Sequence, residues 1–163
     1  MRVLAIDPGY GRCGVAILEG EGSRVKLEYS ACILTDAKIE FSLRLLTVAN
    51  GIIDLIKRYA PDTIAIEELY FSKNQKTVFH VAEIRGMLIY IAVSHKIPLI
   101  EYNPLTVKIA LTGEGRATKD QVAIMVIRLL ALKVTPKYDD EVDAIALGIA
   151  AIAESRHHAV RKL

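Results

Sequence analysis

The sequence predicts an α/β protein in which helices flank a mixed five-stranded sheet. In residues 1–34, three apolar segments of strand length follow one another with only turn residues between them, which favours an antiparallel meander. After residue 45, segments with helical spacing alternate with apolar runs of strand length, which favours parallel pairing. The chain has 163 residues, the usual size of one compact unit, so we expect a single domain over residues 1–163.

The first three strands are predicted from apolar runs bounded by turn residues. Residues 2–7 are rich in Val, Leu and Ile and end at Pro8-Gly9, which indicates a buried strand followed by a tight turn. Residues 13–18 and 24–34 supply the next two strands, with a turn at residues 20–23 between them. These three segments should pair as an antiparallel meander.

The remaining elements are predicted from helical periodicity, capping signals and further apolar runs. From Leu45 onward, apolar residues recur at helical spacing until Pro61 ends the pattern. Thr118 and Gln121 fit a capping box, which marks the start of a later helix. In chain order we expect a helix from residue 45, a strand at 63–69, a helix at 77–95, a strand at 98–102 and helices at 118–132 and 139–156.

The composition excludes several classes of protein. Cys13 and Cys32 lie far apart without a CxxC or Cys/His cluster, so packed thiols are expected in place of a zinc site or disulfide framework. The four histidines form no triad or ligand spacing. We find no apolar run of membrane-spanning length and expect a soluble, cytoplasmic protein. The net charge of +2 does not by itself indicate nucleic acid.

Carboxylates end two of the apolar strands. Asp7 closes the first strand, and Glu67 and Glu68 close the fourth. A carboxylate at the end of a buried strand is expensive to bury unless it is paired or binds a metal, although Asp7 could also cap the turn at residues 9–11. Because strands buried on both faces do not alternate cleanly, the pattern does not decide which Glu points toward Asp7.

A third group of acids begins the last helix. Asp143 lies one turn beyond Asp139 and Asp140, so either of these could share a helix face with it. Acids in a first turn also complement the helix dipole, which is the alternative interpretation. Oxygen ligands of this kind suit Mg²⁺ or Mn²⁺, and several carboxylates can hold two ions about 4 Å apart for phosphodiester hydrolysis.

Four motifs carry a family resemblance through their order and spacing. They are Ile6-Asp7-Pro8-Gly9, Ala65-Ile66-Glu67-Glu68, the GEGRATK sequence at residues 113–119, and Asp140-Glu141-Val142-Asp143-Ala144. As a set they resemble the RuvC family of Holliday-junction resolvases, over nearly the whole chain. The resemblance implies a ribonuclease H-like fold and a magnesium-dependent endonuclease, with Mn²⁺ able to substitute, that nicks two opposed strands of a four-way DNA junction in recombination and repair.

The resemblance also implies roles for individual residues. The metal-binding and catalytic acids of the family fall on Asp7, Glu67, Asp140 and Asp143. Lys119 is implied both in catalysis and in contact with the DNA backbone. Lys108 also matches a position that faces the DNA backbone, and Tyr70 matches an aromatic that stacks on an unpaired base at the junction centre, although it could instead be a partly buried loop tyrosine. Lys73 and Arg85 are expected to bind DNA because their segments should border the same cleft, and Arg116 because it lies in the GEGRATK sequence. The alternative for Lys73 and Arg116 is an ordinary solvated side chain.

The expected partners are four-way junction DNA, a second copy of the chain, and branch-migration proteins of the RuvA and RuvB type. A homodimer matches the two-fold symmetry of a junction. The helix at residues 77–95 offers a dimer surface, through apolar residues that either exceed what the sheet buries or pack in the core: Val78, Ala82, Met87, Leu88 and Ile91.

Three other functions compete with this interpretation. Another ribonuclease H-like nuclease, cutting an RNA–DNA hybrid or acting generally, would use the same acids. Residues 7–11 are also similar to the phosphate loop of actin-like ATPases, but those enzymes need a second comparable domain that 163 residues do not supply. A non-catalytic junction-binding module is the third, and the retention of every candidate acid argues against it.

Overall fold

The computed structural model describes residues 1–68 and 75–160, with the side chains of 75–78 and 156–160 left aside. Its strands form one five-stranded sheet in the order β3-β2-β1-β4-β5. Its elements are β1 (Arg2–Asp7), β2 (Arg12–Glu21), β3 (Arg24–Leu34), α1 (Phe41–Tyr59), β4 (Thr63–Glu67), α2 (Gln75–Ser94), β5 (Leu99–Tyr102), α3 (Pro104–Thr112), α4 (Lys119–Leu129) and α5 (Asp139–Val160).

The sheet is mixed, as predicted. β1, β2 and β3 form the expected antiparallel meander, and β4 and β5 join it in parallel beside β1. The β2–β3 connection is a tight turn in which Gly22 has a φ of +61°, a conformation that favours glycine. The carboxyl ends of β1 and β4 therefore meet at one edge of the sheet, with Asp7 and Glu67 at their ends.

Helices cover both faces of the sheet and bury two separate apolar clusters. On one face, Val3 and Ala5 of β1 pack with residues of α3, α4 and α5. On the other face, Leu4 and Ile6 pack with α1 and α2. This alternation assigns each strand position to a face, because successive side chains of a strand point to opposite sides.

Two differences from the predicted elements have local causes. The apolar pattern predicts a helix from residue 45, but α1 begins at Phe41. The pattern does not include the first turn because the buried residue of that turn is charged: Arg44 is only 9% exposed and donates hydrogen bonds to Thr35 and to the carbonyl of Tyr10. α3 was not predicted; its start is capped by the Asn103 side chain, which accepts a hydrogen bond from Leu105 N–H at 2.8 Å, with Pro104 in the first turn.

α2 decides between the two alternatives left open for two of its apolar residues. Leu88 and Ile91 are 1% and 3% exposed and pack in the core, so they do not form a dimer surface. Among the α2 side chains from residue 79 onward, the large apolar ones that are exposed are Phe79, Tyr90 and Val93, each 70–72% exposed.

Both cysteines are free thiols; Cys13 is buried, and Cys32 is partly buried. Among the described helices, none combines the length and the apolar character that crossing a membrane would require.

Candidate active site

Asp7 and Glu67 lie side by side on the face of the sheet that α5 covers. β1 and β4 are parallel neighbours, and their register pairs Ala5 with Ala65. Both alanines pack in the α5 cluster. Asp7 and Glu67 each lie two positions further along and therefore point to the same face, while Glu68 follows the end of β4. Glu67, and not Glu68, is therefore the residue that points to the same face as Asp7, which the strand pattern alone did not decide.

A glycine of β2 lets the last helix approach these carboxylates. Gly14 is the β2 partner of Asp7 in the sheet. A Cβ atom at Gly14 would lie 1.8 Å from the Asp140 carbonyl oxygen, so only a residue without a side chain fits there. α5 therefore begins directly against the strand beside Asp7, which brings the acids of its first turns to the same edge of the sheet.

Each of the two predicted α5 ligands is paired with a cation. Lys119 Nζ donates to Asp143 Oδ2 at 2.8 Å, and this hydrogen bond raises the pKa of Lys119 above its ordinary value. Lys119 is placed by the start of α4, where Thr118 and Gln121 form the predicted capping box. Arg12 Nε lies 2.9 Å from Asp140 Oδ2.

A cleft of about 340 Å³ lies between the sheet edge and α3, α4 and α5. Among the described residues, its charged lining consists of five predicted site residues: Asp7, Glu67, Lys108, Lys119 and Asp143. The rest of its wall is largely apolar, from α3, α4 and α5. Asp140 lies outside this lining, on the side toward Arg12.

Burial and repulsion between like charges make Asp7 and Glu67 hard to ionise. The pKa of Asp7 is raised from 3.8 to about 7, first by burial and then by the charges of Glu67, Asp143 and Asp140. The pKa of Glu67 is also raised, chiefly by burial and next by Asp143. A cation bound here would relieve this repulsion, and such perturbed groups are typical of functional sites.

The donor set fits a hard divalent cation, but the side chains do not form a closed cage. Within residues 1–68 and 75–160, no three His, Cys, Asp or Glu side chains lie close enough together to form a metal-binding group. The carboxylates repel one another and therefore stay apart. The two on α5 are instead paired with cations, Asp143 with Lys119 and Asp140 with Arg12. Asp140 Oδ2 is nevertheless buried and accepts no aligned hydrogen bond from any described residue, which leaves its capacity as a ligand unused.

The structure does not bring all the predicted DNA-binding residues to the cleft. Lys108 of α3 and Lys119 line it, and Arg116 is exposed in the connection between α3 and α4. Arg85 lies on α2, on the opposite face of the sheet, where it is ion-paired with Glu101. Tyr70 and Lys73 are outside the described residues.

Two residues that shape this site, Gly14 and Arg12, were not predicted. Gly14 could have been found, because a glycine inside an apolar strand marks a close backbone approach. Arg12 gave no such signal, since an arginine at the beginning of a strand is usually an ordinary surface residue. Its partner lies 128 positions further along the chain, and only the folded structure shows the contact.

Comparisons with known proteins agree on one family. The family model described as crossover junction endodeoxyribonuclease RuvC matches residues 3–151. The protein of that name from Desulforamulus reducens is 42% identical over 91% of this chain and 91% of its own, and the one from Caldanaerobacter subterraneus subsp. tengcongensis is 44% identical over 91% and 90%. The solved structure of Thermus thermophilus RuvC in complex with Holliday junction substrate is similar with a TM-score of 0.92 and 27% identity, over 97% of this chain and 96% of that one.

Proposed function

This chain belongs to the RuvC family of crossover junction endodeoxyribonucleases and has its ribonuclease H-like fold, and from this we propose that it resolves four-way DNA junctions at the cleft described above. The observation that carries the proposal is the meeting of Asp7, Glu67 and Asp143 with two lysines in one cleft. Carboxylates hold hard cations and lysines attract phosphate, a combination that suits metal-dependent phosphodiester hydrolysis. We also propose that the enzyme acts in the cytoplasm, on DNA in recombination and repair.

The proposed cofactor is Mg²⁺, two ions per active site, with Mn²⁺ able to substitute. Asp7, Glu67, Asp140 and Asp143 are the proposed ligands. The raised pKa values of Asp7 and Glu67 and the unused Oδ2 of Asp140 support this set, because each describes a buried oxygen that gains from a cation. When bound, such ions lower the pKa of an attacking water and stabilise the leaving oxygen.

The basic residues of the cleft supply the proposed DNA contacts. Lys108 and Lys119 line the cavity beside the acids, so their ammonium groups are placed to bind the phosphates that flank the cut. The Lys119 side chain is 71% exposed despite its bond to Asp143, which leaves it accessible to a strand of DNA. Arg116 would contact the backbone further out. Direct contact with phosphate is a salt-sensitive interaction, which gives it a measurable signature.

Junction selectivity is assigned to the segment after β4 and to α2. Tyr70 is proposed to stack on an unpaired base and Lys73 to bind the backbone, and both positions stay sequence-based proposals. Arg85 is proposed as a more distant DNA contact, since it lies outside the cleft and is paired with Glu101. Stacking on an aromatic side chain contributes about 1–3 kcal/mol per base, enough to favour an opened junction centre over duplex.

The working enzyme is proposed to be a homodimer whose interface includes the exposed face of α2. Phe79, Tyr90 and Val93 are spaced so that they lie on one side of the helix, together with Gly86, whose Cα has open space around it. Large apolar side chains exposed on one face are typical of an association surface. Two copies related by a two-fold axis provide one catalytic centre for each of the two strands. Branch-migration proteins of the RuvA and RuvB type are the proposed further partners.

The proposed ligand set is tested by neutral substitutions assayed for both binding and cleavage. Asp7→Asn, Glu67→Gln, Asp140→Asn and Asp143→Asn should each abolish single-turnover cleavage of a synthetic four-way junction with little loss of junction binding in a gel-shift assay. Glu68→Gln and Asp139→Asn are the matched controls and should cut at rates close to the unmodified protein. An essential Glu68 beside a dispensable Glu67 would contradict the assignment, and so would equal loss of binding and cleavage.

A further inference from the structure

Arg12 contacts one of the proposed metal ligands but belongs to none of the motifs. It is the first residue of β2, two positions before Gly14, and therefore points to the face that α5 covers. Its Nε lies 2.9 Å from Asp140 Oδ2. The pair joins the sheet to the first turn of α5 at the point where Gly14 allows the two to touch.

Of the four proposed metal ligands, the two on α5 are paired with cations and the two on the sheet are not paired with any cation of the described residues. On α5, Asp143 is paired with Lys119 and Asp140 with Arg12. Across the described part of the chain, Asp7 and Glu67 form no ion pair of their own, and their pKa values are raised. Arg12 and Lys119 thus already balance part of the negative charge that a divalent cation would otherwise meet.

The two cations differ in where they lie. Lys119 lines the cleft beside Asp7 and Glu67, whereas Arg12 approaches Asp140 from outside the cleft lining. The Arg12 side chain is 56% exposed and that of Asp140 23%. Arg12 and Asp140 Oδ2 form an ion pair, but the donor is not aligned for a hydrogen bond, so this oxygen accepts none from any described residue. An ion pair that is poorly aligned and whose arginine is half exposed is weak and readily displaced.

We propose that Arg12 is a built-in counter-ion of Asp140 that competes with the divalent cation for this carboxylate and so lowers the cation affinity of the site. The inference rests on the proposed function, because it takes Asp140 as a metal ligand. A cation that binds Asp140 Oδ2 must replace the guanidinium, and the free energy of the ion pair is then lost from the free energy of metal binding. Arg12 thus acts on the cation only through its ion pair with Asp140.

The experiment measures Mn²⁺ binding to the DNA-free protein by electron paramagnetic resonance at fixed ionic strength. Arg12→Ala and Arg12→Gln should bind Mn²⁺ about two- to five-fold more tightly than the unmodified protein, the range expected for loss of an exposed ion pair. Arg12→Lys keeps the charge and should stay close to the unmodified value. Arg24→Ala, an exposed arginine at the far end of the same hairpin, is the matched control and should change nothing.

A second readout does not depend on counting bound ions. The stabilisation of the folded protein by Mg²⁺ at a given concentration increases as the Kd for Mg²⁺ falls, so the increase in Tm should be larger for Arg12→Ala than for the unmodified protein. The same melting curves show whether each variant is folded. Arg12→Gln serves if the alanine variant is unstable.

The outcomes separate this inference from the function on which it rests. Equal Mn²⁺ affinity in the unmodified protein, Arg12→Ala and Arg12→Gln overturns the counter-ion role. Weaker Mn²⁺ binding in the two neutral variants also overturns it, because Arg12 would then be orienting Asp140 for the metal. If the unmodified protein shows no Mn²⁺ binding that Asp7→Asn removes, the proposed metal site itself fails, and the inference fails with it.

Discussion

Replacing Asp7 with asparagine should stabilise the protein in the absence of metal while removing its activity. Asp7 is a buried carboxylate whose neighbours Glu67, Asp143 and Asp140 are also acidic, and its pKa is raised from 3.8 to about 7. Each pH unit between these values corresponds to about 1.4 kcal/mol, so ionising Asp7 costs the folded state up to about 4 kcal/mol relative to the unfolded chain. Relaxation of the neighbouring side chains reduces this, and we expect a gain of about 2–4 kcal/mol for Asp7→Asn above neutral pH.

The stability gained by Asp7→Asn should increase as the pH rises. Because the folded-state pKa lies above the unfolded value, the folded protein holds a proton on Asp7 between about pH 4 and 7 that the unfolded chain has released. The contribution of Asp7 to stability is therefore present at low pH and is lost as pH rises through about 7. Asparagine does not titrate, so the difference between variant and unmodified protein should grow from near zero at about pH 4 to its full value at about pH 8.

The assay is urea unfolding followed by circular dichroism, in EDTA, over this pH range. Asp139→Asn is the matched control, because Asp139 is exposed and begins the same helix that carries the other acids. Adding Mg²⁺ at pH 8 should stabilise the unmodified protein more than Asp7→Asn and so reduce the difference. A variant that is less stable at pH 8, or a difference that does not change with pH, would refute the reasoning.

Three further changes test the placement of the site and the dimer. Lys119→Ala should slow cleavage and flatten the salt dependence of junction binding by about 0.9 in log affinity against log salt, whereas Lys57→Ala on α1 should not; an unchanged slope would rule out a phosphate contact. Gly14→Ala should lose about 1–3 kcal/mol of stability and most cleavage, because its methyl group meets the Asp140 carbonyl; a fully active Gly14→Ala would contradict the close approach of α5. In analytical ultracentrifugation the unmodified protein should sediment as a dimer and Phe79→Glu as a monomer, whereas Leu46→Glu, on the exposed side of α1, should remain a dimer. An unmodified protein that is monomeric at working concentration would exclude the dimer.

The sequence predicted most of the fold because its strands and long helices have clear apolar periods. The meander, the parallel strands and the capping box at Thr118 were all readable from local patterns. α3 was not, since its short helix has little periodicity and its start depends on the cap at Asn103. The beginning of α1 was missed because Arg44 occupies a buried position, where its charge is satisfied by hydrogen bonds that local sequence does not reveal.

The candidate site was predictable only in part from the residues themselves. Strand ends predicted that acids would collect at one edge, but the choice between Glu67 and Glu68 depended on sheet register, and it came first from the family resemblance. The pairing of Asp140 with Arg12 depends on a contact between distant segments, which no local pattern encodes. Arg85 was expected to border the cleft, but it lies on α2, which covers the other face of the sheet, and it is paired there with Glu101. Which face of the sheet a helix covers is not encoded in the local sequence around Arg85.

The most direct test of the central claim compares substrates under identical conditions. The protein is incubated with a synthetic four-way junction, a linear duplex of the same sequence and an RNA–DNA hybrid, each with and without Mg²⁺, and the products are resolved on denaturing gels. The proposed function predicts paired nicks in two opposed strands of the junction, only with Mg²⁺, and little cutting of the other two substrates. Equal cutting of the hybrid or the duplex, or junction cleavage that persists in EDTA, would contradict it.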